Sequence, residues 1–293
     1  MKKAIAVMAS LALLTGCQSS SFSGQVENGS EVVLTSNDNL SLTRQEIYET
    51  LAENYGANLL LNQALQIASQ QEDIDEEELN NRVQETVDNY TSMMGDDLDS
   101  YAQQNLGYDT FEAYKEAVLV PSTRQQMMIE KYSEDNFETL ATENSYRKLS
   151  WIKVADETTA MSVLAELNSG EKTFAEAVTE YSTDTSTSSS GGDLGVVSIL
   201  STDVDSSIAN LTPQLTAISL YSVPVSLSDG SYAIIDVVET DPNNMKEEVL
   251  EDLQSNETIT SEAEAYYLNK YNFQVNEKIL ADAIKEIDED YLS

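Results

Sequence analysis

The chain has 293 residues with 52 Asp and Glu against 15 Lys and Arg, a formal charge of −37, and no histidine. So acidic a chain argues against binding nucleic acid, which needs Lys and Arg to neutralise phosphates, and it repels anionic headgroups. One cysteine excludes an intrachain disulfide, while a hydrophobic content of 41% is enough for a core.

In chain order, Lys2 and Lys3 precede an apolar run from Ala4 to Leu14. That run is shorter than the ~20 residues a membrane-spanning helix needs, and it has the size of a signal-peptide core. Leu14-Thr15-Gly16-Cys17 follows and resembles the lipobox of bacterial lipoprotein precursors. The resemblance implies that residues 1–16 are removed and that Cys17 carries a lipid. The alternative is a small buried Cys in a helix. Residues 17–39, rich in Ser at the start, read as a polar tether.

Glu31 to Leu34 has strand character. Thr43 and Glu46 make a capping-box pattern; Ile47, Leu51, Tyr55 and Leu59 follow at spacings of four, and Leu61, Leu65 and Ala68 continue an apolar face. The acidic run Glu72–Glu78 reads as the start of a second helix, where negative charge suits the dipole. Its expected buried stripe is Leu79, Val83, Val87, Tyr90 and Met94. As a Ca²⁺ loop the run lacks the Gly and the ligand spacing. Gly95 and Gly107 bracket a short helix; another, from Asp109, is expected to break near Pro121 and resume through Met127, Met128 and Tyr132. Residues 40–143 thus read as an all-helical half, whose Met and Tyr residues are core or line a groove for a partner.

The pattern changes at Tyr146. A strand over 148–154, helices over 157–167 and around Phe174, Val178 and Tyr181, a Gly-rich turn and a strand over 231–238 make an α+β domain over 144–241. After Pro242, helices are expected over 245–253, 260–270 and from Ile279, with Tyr271, Phe273 and Val275 alternating like a short strand. About 50 residues make too small a core alone. Residues 242–293 are therefore expected to pack on the N-terminal half, leaving the middle domain as an insertion.

Thr173–Thr185, then Gly191-Gly192-Asp193-Leu194-Gly195, with Asp156–Ala160 before them and Pro224-Val225 and Tyr232–Ile235 after, resemble a parvulin-type peptidyl-prolyl isomerase domain. With the lipobox and helical flanks, the whole chain resembles the PrsA family of foldase lipoproteins. That implies an α+β parvulin-like domain, a small antiparallel sheet with helices, inserted in a split all-α chaperone domain of the SurA and trigger-factor kind. It also implies a location on the extracytoplasmic face of a Gram-positive cell membrane, unfolded or newly secreted proteins as partners, and a homodimer. Active parvulins place a His in the first strand and another in the last; the matching positions here are Trp151 and Ala233. Asp184 or Thr185 stands where the family has an acidic or thiol residue, and the Met and Phe of its proline pocket have no match in Val197 to Ile208. Gly191–Gly195 serve the fold as a tight turn whether or not catalysis survives, and Asp193 reads as a turn or capping residue.

No metal site, cofactor site or nucleotide loop stands out, since His is absent and the acidic clusters lack ligand spacing. Three functions remain open: a membrane-anchored chaperone with weak or absent isomerase activity, a working isomerase, and a surface-binding lipoprotein.

Overall fold

The computed structural model describes residues 26–36, 40–95 and 97–291, so the leader, Cys17 and most of the tether lie outside it. Internal contacts divide the chain into two units, one holding the described residues up to Leu61 with those from Phe273 on, the other Asn62–Asn272.

Strands β1 (Val32–Thr35) and β2 (Ser41–Thr43) form an antiparallel pair. Helix α1 (Arg44–Leu51) starts at a complete capping box. The Glu46 N–H donates to Thr43 Oγ1 at 3.2 Å, and the Thr43 N–H donates to the Glu46 carboxylate at 2.7 Å. A π-helical turn, Ala52–Gly56, carries it into α2 (Ala57–Ser69). The first part of the expected apolar face is open, Leu51 being 52% exposed and Tyr55 and Leu59 64%, whereas Leu61, Leu65 and Ala68 further along are buried. The small side of the helix is covered instead, Ala52 and Ala57 being buried.

Helix α3 (Glu76–Met94) is capped by Asp75, whose carboxylate accepts the N–H groups of Glu77 and Glu78. The acidic run thus supplies both a cap and first-turn charge. Of the expected stripe only Leu79 and Val83 are buried, and Met94 is exposed. Tyr90 instead meets Phe111 and Tyr114 edge-on, with centroids 5.3 and 6.0 Å away. Next come α4 (Leu98–Tyr101) with its π-helical turn Ala102–Leu106, and α5 (Phe111–Tyr114). From α5 a further π-helical turn, Lys115–Leu119, leads straight into α6 (Val120–Asp135).

The expected break at Pro121 is therefore not there. The Val120 N–H reaches back five residues to Lys115 O, so proline enters where the ladder changes register and its missing N–H is tolerated. Arg82–Glu130 and Arg124–Glu76 pairs at 2.5 and 2.6 Å tie α3 to α6. Helix α7 (Phe137–Glu143) ends this run.

The sheet follows as β3 (Arg147–Val154), β4 (Asp193–Val197), β5 (Val225–Ser226) and β6 (Tyr232–Glu239), all antiparallel in the order β4-β3-β6-β5. Helices α8 (Glu157–Ser169) and α9 (Phe174–Tyr181) lie between β3 and β4 in the chain, and the short α10 (Ser206–Ala209) precedes β5. Asp156 caps α8, and Thr173 with Glu176 makes a second complete capping box on α9. Ile152, Val154 and Ile234 bury one face of the sheet with Ala160, Val163, Ala177 and Val178 of α8 and α9.

Helices α11 (Lys246–Ser255) and α12 (Glu257–Lys270) return to α6. The buried Tyr267 hydroxyl donates to Met128 O at 3.0 Å. Phe137 and Leu140 of α7, Tyr146 just before β3, Val249 and Leu253 of α11 and Ile259 of α12 share one core. Within it the Tyr146 hydroxyl donates to the Asp252 carboxylate at 2.5 Å, and burial pushes the Asp252 carboxyl up. The stretch from Tyr271 to Glu277 forms no strand. It leads to α13 (Lys278–Ile287), whose Leu280 sits so close to Gly56 that an added Cβ would lie 2.4 Å from Cδ2. The chain is helix-rich with one small parvulin-like antiparallel sheet between helices of a shared core. Among the described residues no helix is long and apolar enough to cross a membrane.

Candidate functional site

The parvulin resemblance points to the second face of the sheet as the cleft. Alternation along β3 and β6 puts Leu149, Trp151 and Lys153 on that face with Ala233, Ile235 and Val237. Trp151 pairs across the strands with Ile235, and Lys153 with Ala233. Trp151 and Ala233 are therefore diagonal neighbours on one face, a relation of about 7–8 Å between backbones. Both belong to one apolar cluster with Leu149, Ile208, Leu211, Leu215 and Leu227. Ala233 is fully buried, whereas Trp151 is half-buried. Val204 and Ile208, in the stretch where a Met and a Phe would be expected, pack aliphatic carbon into this cluster.

The Trp151 indole has a polar partner from the loop after α9. Its Nε1–H donates to Thr187 Oγ1 at 2.9 Å, and the Thr187 hydroxyl donates in turn to the Asp184 carboxylate. Asp184 also accepts the N–H of Thr187 at 3.0 Å and that of Ser186 at 3.2 Å. Burial pushes its carboxyl up, but the hydrogen bonds from Thr187 and Ser186 outweigh that and hold it down at about 2. Asp184 is thus ionised at neutral pH and acceptor-only. Thr185 is exposed, and among the described residues nothing ties it to the cleft. The site then consists of Asp184, Thr187 and Trp151 in series, with Ala233 beside the indole. Thr187 carried no signal of its own in the sequence beyond its place three residues after Asp184.

The glycine motif supports this loop. Gly192 has φ +80°, and its carbonyl accepts the Trp151 N–H at 2.8 Å. A Cβ there would meet the Trp151 carbonyl at 2.2 Å and Val178 Cγ2 at 3.1 Å. Only glycine lets the turn run this close to β3. Gly191 and Gly195 also take positive φ, and Leu194 packs against the cleft cluster. Asp193 accepts the Gly195 N–H at 2.8 Å, an Asx-type turn.

On the far side of Trp151, Lys153 lies 5.8 Å from the indole centroid and pairs with Asp229 at 2.7 Å. Lys153 and Ser231 hold the Asp229 carboxyl well below the usual range. Asp205 caps α10 and binds the Ser228 backbone and hydroxyl; the Ser228 hydroxyl does most to hold its carboxyl down at about 2. These pairs brace the loops, and the Lys153 ammonium on the cleft face is engaged by Asp229. Among the described residues no group of acidic or Cys side chains is arranged to hold a metal.

The PPIC-type peptidyl-prolyl isomerase (rotamase) family matches residues 152–239, which take in Asp184, the glycine motif and Ala233. Over 280 residues the chain is 26% identical to Foldase protein PrsA 2 of Listeria monocytogenes, covering 89% of this chain and 88% of that one. The chain thus carries a PPIC-type rotamase domain and is similar along most of its length to PrsA foldases. A PrsA-type relative from Listeria innocua, Foldase protein PrsA 1, is 30% identical over 197 residues, covering 64% of this chain and 58% of its own. The fold also matches the crystal structure of the peptidylprolyl isomerase PrsA from Bacillus cereus. The TM-score is 0.51 at 22% identity, over 89% of this chain and all of that one. The rotamase family match takes in Ala233 but begins one residue after Trp151.

Proposed function

We propose that this PrsA-type chain is a foldase that holds newly secreted polypeptides while they fold. A lipid on Cys17 tethers it to the extracytoplasmic face of a Gram-positive cell membrane, and prolyl isomerisation is weak or absent. The helical segments 40–143 and 242–293 form the chaperone part, with 144–241 as the parvulin-like domain between them, and a homodimer belongs to the same reading.

The observation that carries the proposal is the pair Trp151 and Ala233. Isomerisation requires lowering a barrier of ~18–20 kcal/mol by favouring a twisted amide. A cleft that does so must offer polar groups to that amide. Here the indole N–H is already committed to Thr187, and Ala233 has nothing to offer. The foldase role is supported by PrsA relatives aligned along most of the chain.

Two assays on the mature chain test this together. In a protease-coupled assay on a proline tetrapeptide, the expected result is no acceleration over the slow uncatalysed rate. In the second, the same preparation suppresses aggregation of an unfolded secreted protein. Acceleration that disappears with Asp184→Asn would establish a working isomerase instead. Lipid labelling of cells that is lost with Cys17→Ala tests the anchor, and sedimentation of the mature chain tests the dimer.

A further inference from the structure

The helical part contains a cavity of about 570 Å³, walled by α2, the residues around the two π-helical turns at 102–106 and 115–119, α6, α11 and α12. That volume lies in the range of specific ligand sites, roughly 300–1,000 Å³. Its lining is unusual for so charged a protein. Six carboxamides point to one space: Asn62, Gln63 and Gln66 from α2, Gln125 and Gln126 from α6, and Gln254 from α11. The lining has one charged side chain, Glu130, and it is already paired with Arg82 at 2.5 Å.

Some of these amides are held in place. Gln66 donates to Asn62 at 3.1 Å, and Gln126 donates to Glu130 at 2.9 Å. No hydrogen bond of the Gln63, Gln125 or Gln254 side chains is present among the described residues. Each carboxamide brings an acceptor and two donors on one planar group. Three such groups from three helices make a mixed, uncharged array. A free phosphate or carboxylate would want cations there, and an apolar ligand would strip water from the amides for no return.

We propose that this cavity binds the backbone of an extended polypeptide segment, its carboxamides pairing with the segment's N–H and C=O groups whatever its side chains. A peptide backbone offers one donor and one acceptor per residue, the same mixture as the wall. In a folded client those groups are already paired; in an unfolded one they are free. The cavity thus selects unfolded chain by a property common to all sequences. This rests on the foldase reading and names what that foldase holds.

The test uses the full mature chain and a fluorescent, uncharged Thr- and Val-rich peptide, with three comparisons. Methylating alternate backbone nitrogens of the peptide should weaken binding to the unaltered protein about tenfold or more, as loss of several hydrogen bonds requires. A peptide of the same composition in scrambled order should bind within about twofold, since no side-chain readout is involved. Combining Gln63→Met, Gln125→Met and Gln254→Met keeps volume while removing donors and acceptors. It should weaken the unmethylated peptide to the level of the methylated one and abolish the difference between them.

Equal binding of methylated and unmethylated peptides, no binding of either, or a variant that still discriminates would each overturn the proposal. Displacement of the peptide by a soluble cell-wall glycan would overturn it in favour of a sugar site. The methylation comparison needs no variant and stands even if the triple substitution fails to fold. If the unaltered chain does not suppress aggregation, the foldase reading fails. If it does while methylation has no effect, only the backbone site fails.

Discussion

The two faces of the parvulin sheet are equally dry and differently used. On the side of α8 and α9, Ile152, Val154 and Ile234 are sealed by aliphatic side chains. On the cleft side, Leu149, Ala233, Ile235 and Val237 are just as buried, beneath Ile208, Leu211 and Leu215 from the loops. Trp151 and Lys153, with Leu194 of β4 and Val225 of β5, keep that face partly open. Nothing in the stability of this sheet calls for a polar pair in the cleft. The determinants of the fold, which are Gly192, the Thr173–Glu176 cap and the helix-side core, are separate residues from those that would do chemistry. A chain can therefore keep the first set and change the second.

Four substitutions break or sharpen that contrast. Gly192→Ala should have the largest effect, at least about 3 kcal/mol in denaturant unfolding, because it joins an unfavourable φ to a clash with the Trp151 carbonyl. A loss under about 1 kcal/mol would mean that the turn and β3 part easily. On the helix side, Ile234→Ala should cost about 3 kcal/mol as a cavity left in a fully buried site. On the cleft side, Ala233→His should cost about 2 kcal/mol through overpacking. Unchanged stability there would show room for an imidazole and would revive the isomerase reading.

Thr187→Val should be the mildest, about 1 kcal/mol, since it removes hydrogen bonds at a half-buried site. It should also change the emission of Trp151, the chain's one tryptophan. The pH dependence follows from the same series. The folded Asp184 carboxyl is held at about 2, below its unfolded value of about 3.9. Its contribution is therefore complete above the unfolded value and is lost as pH falls through about 2. Trp151 emission should titrate across that acidic window in the unaltered chain and not in Asp184→Asn.

Local signals in the sequence were strong where local chemistry decides. The Thr43–Glu46 capping box, the acidic start of α3 and the strands at 148–154 and 231–238 stand in the structure near the residues that announced them. The fold class follows from them and from the parvulin resemblance. Misjudgements came where one element's neighbours decide. The stripe Ile47, Leu51, Tyr55 and Leu59 has ideal periodicity, but the unit covers the small side of that helix at Ala52 and Gly56. Pro121 signals a missing N–H, yet the preceding π-helical turn had already shifted the ladder. The join of Trp151 to Thr187 spans 36 residues, a tertiary match that no local pattern encodes.

Tyr146 sits at the seam where α7 gives way to β3, buried against α11 and α12 and hydrogen-bonded to Asp252. Mechanically this makes the seam a clamp rather than a swivel. The next residue, Arg147, opens β3, and Trp151 follows four residues further on. The chain's one tryptophan thus stands five residues along from this seam, where its emission is a natural probe of Tyr146→Phe.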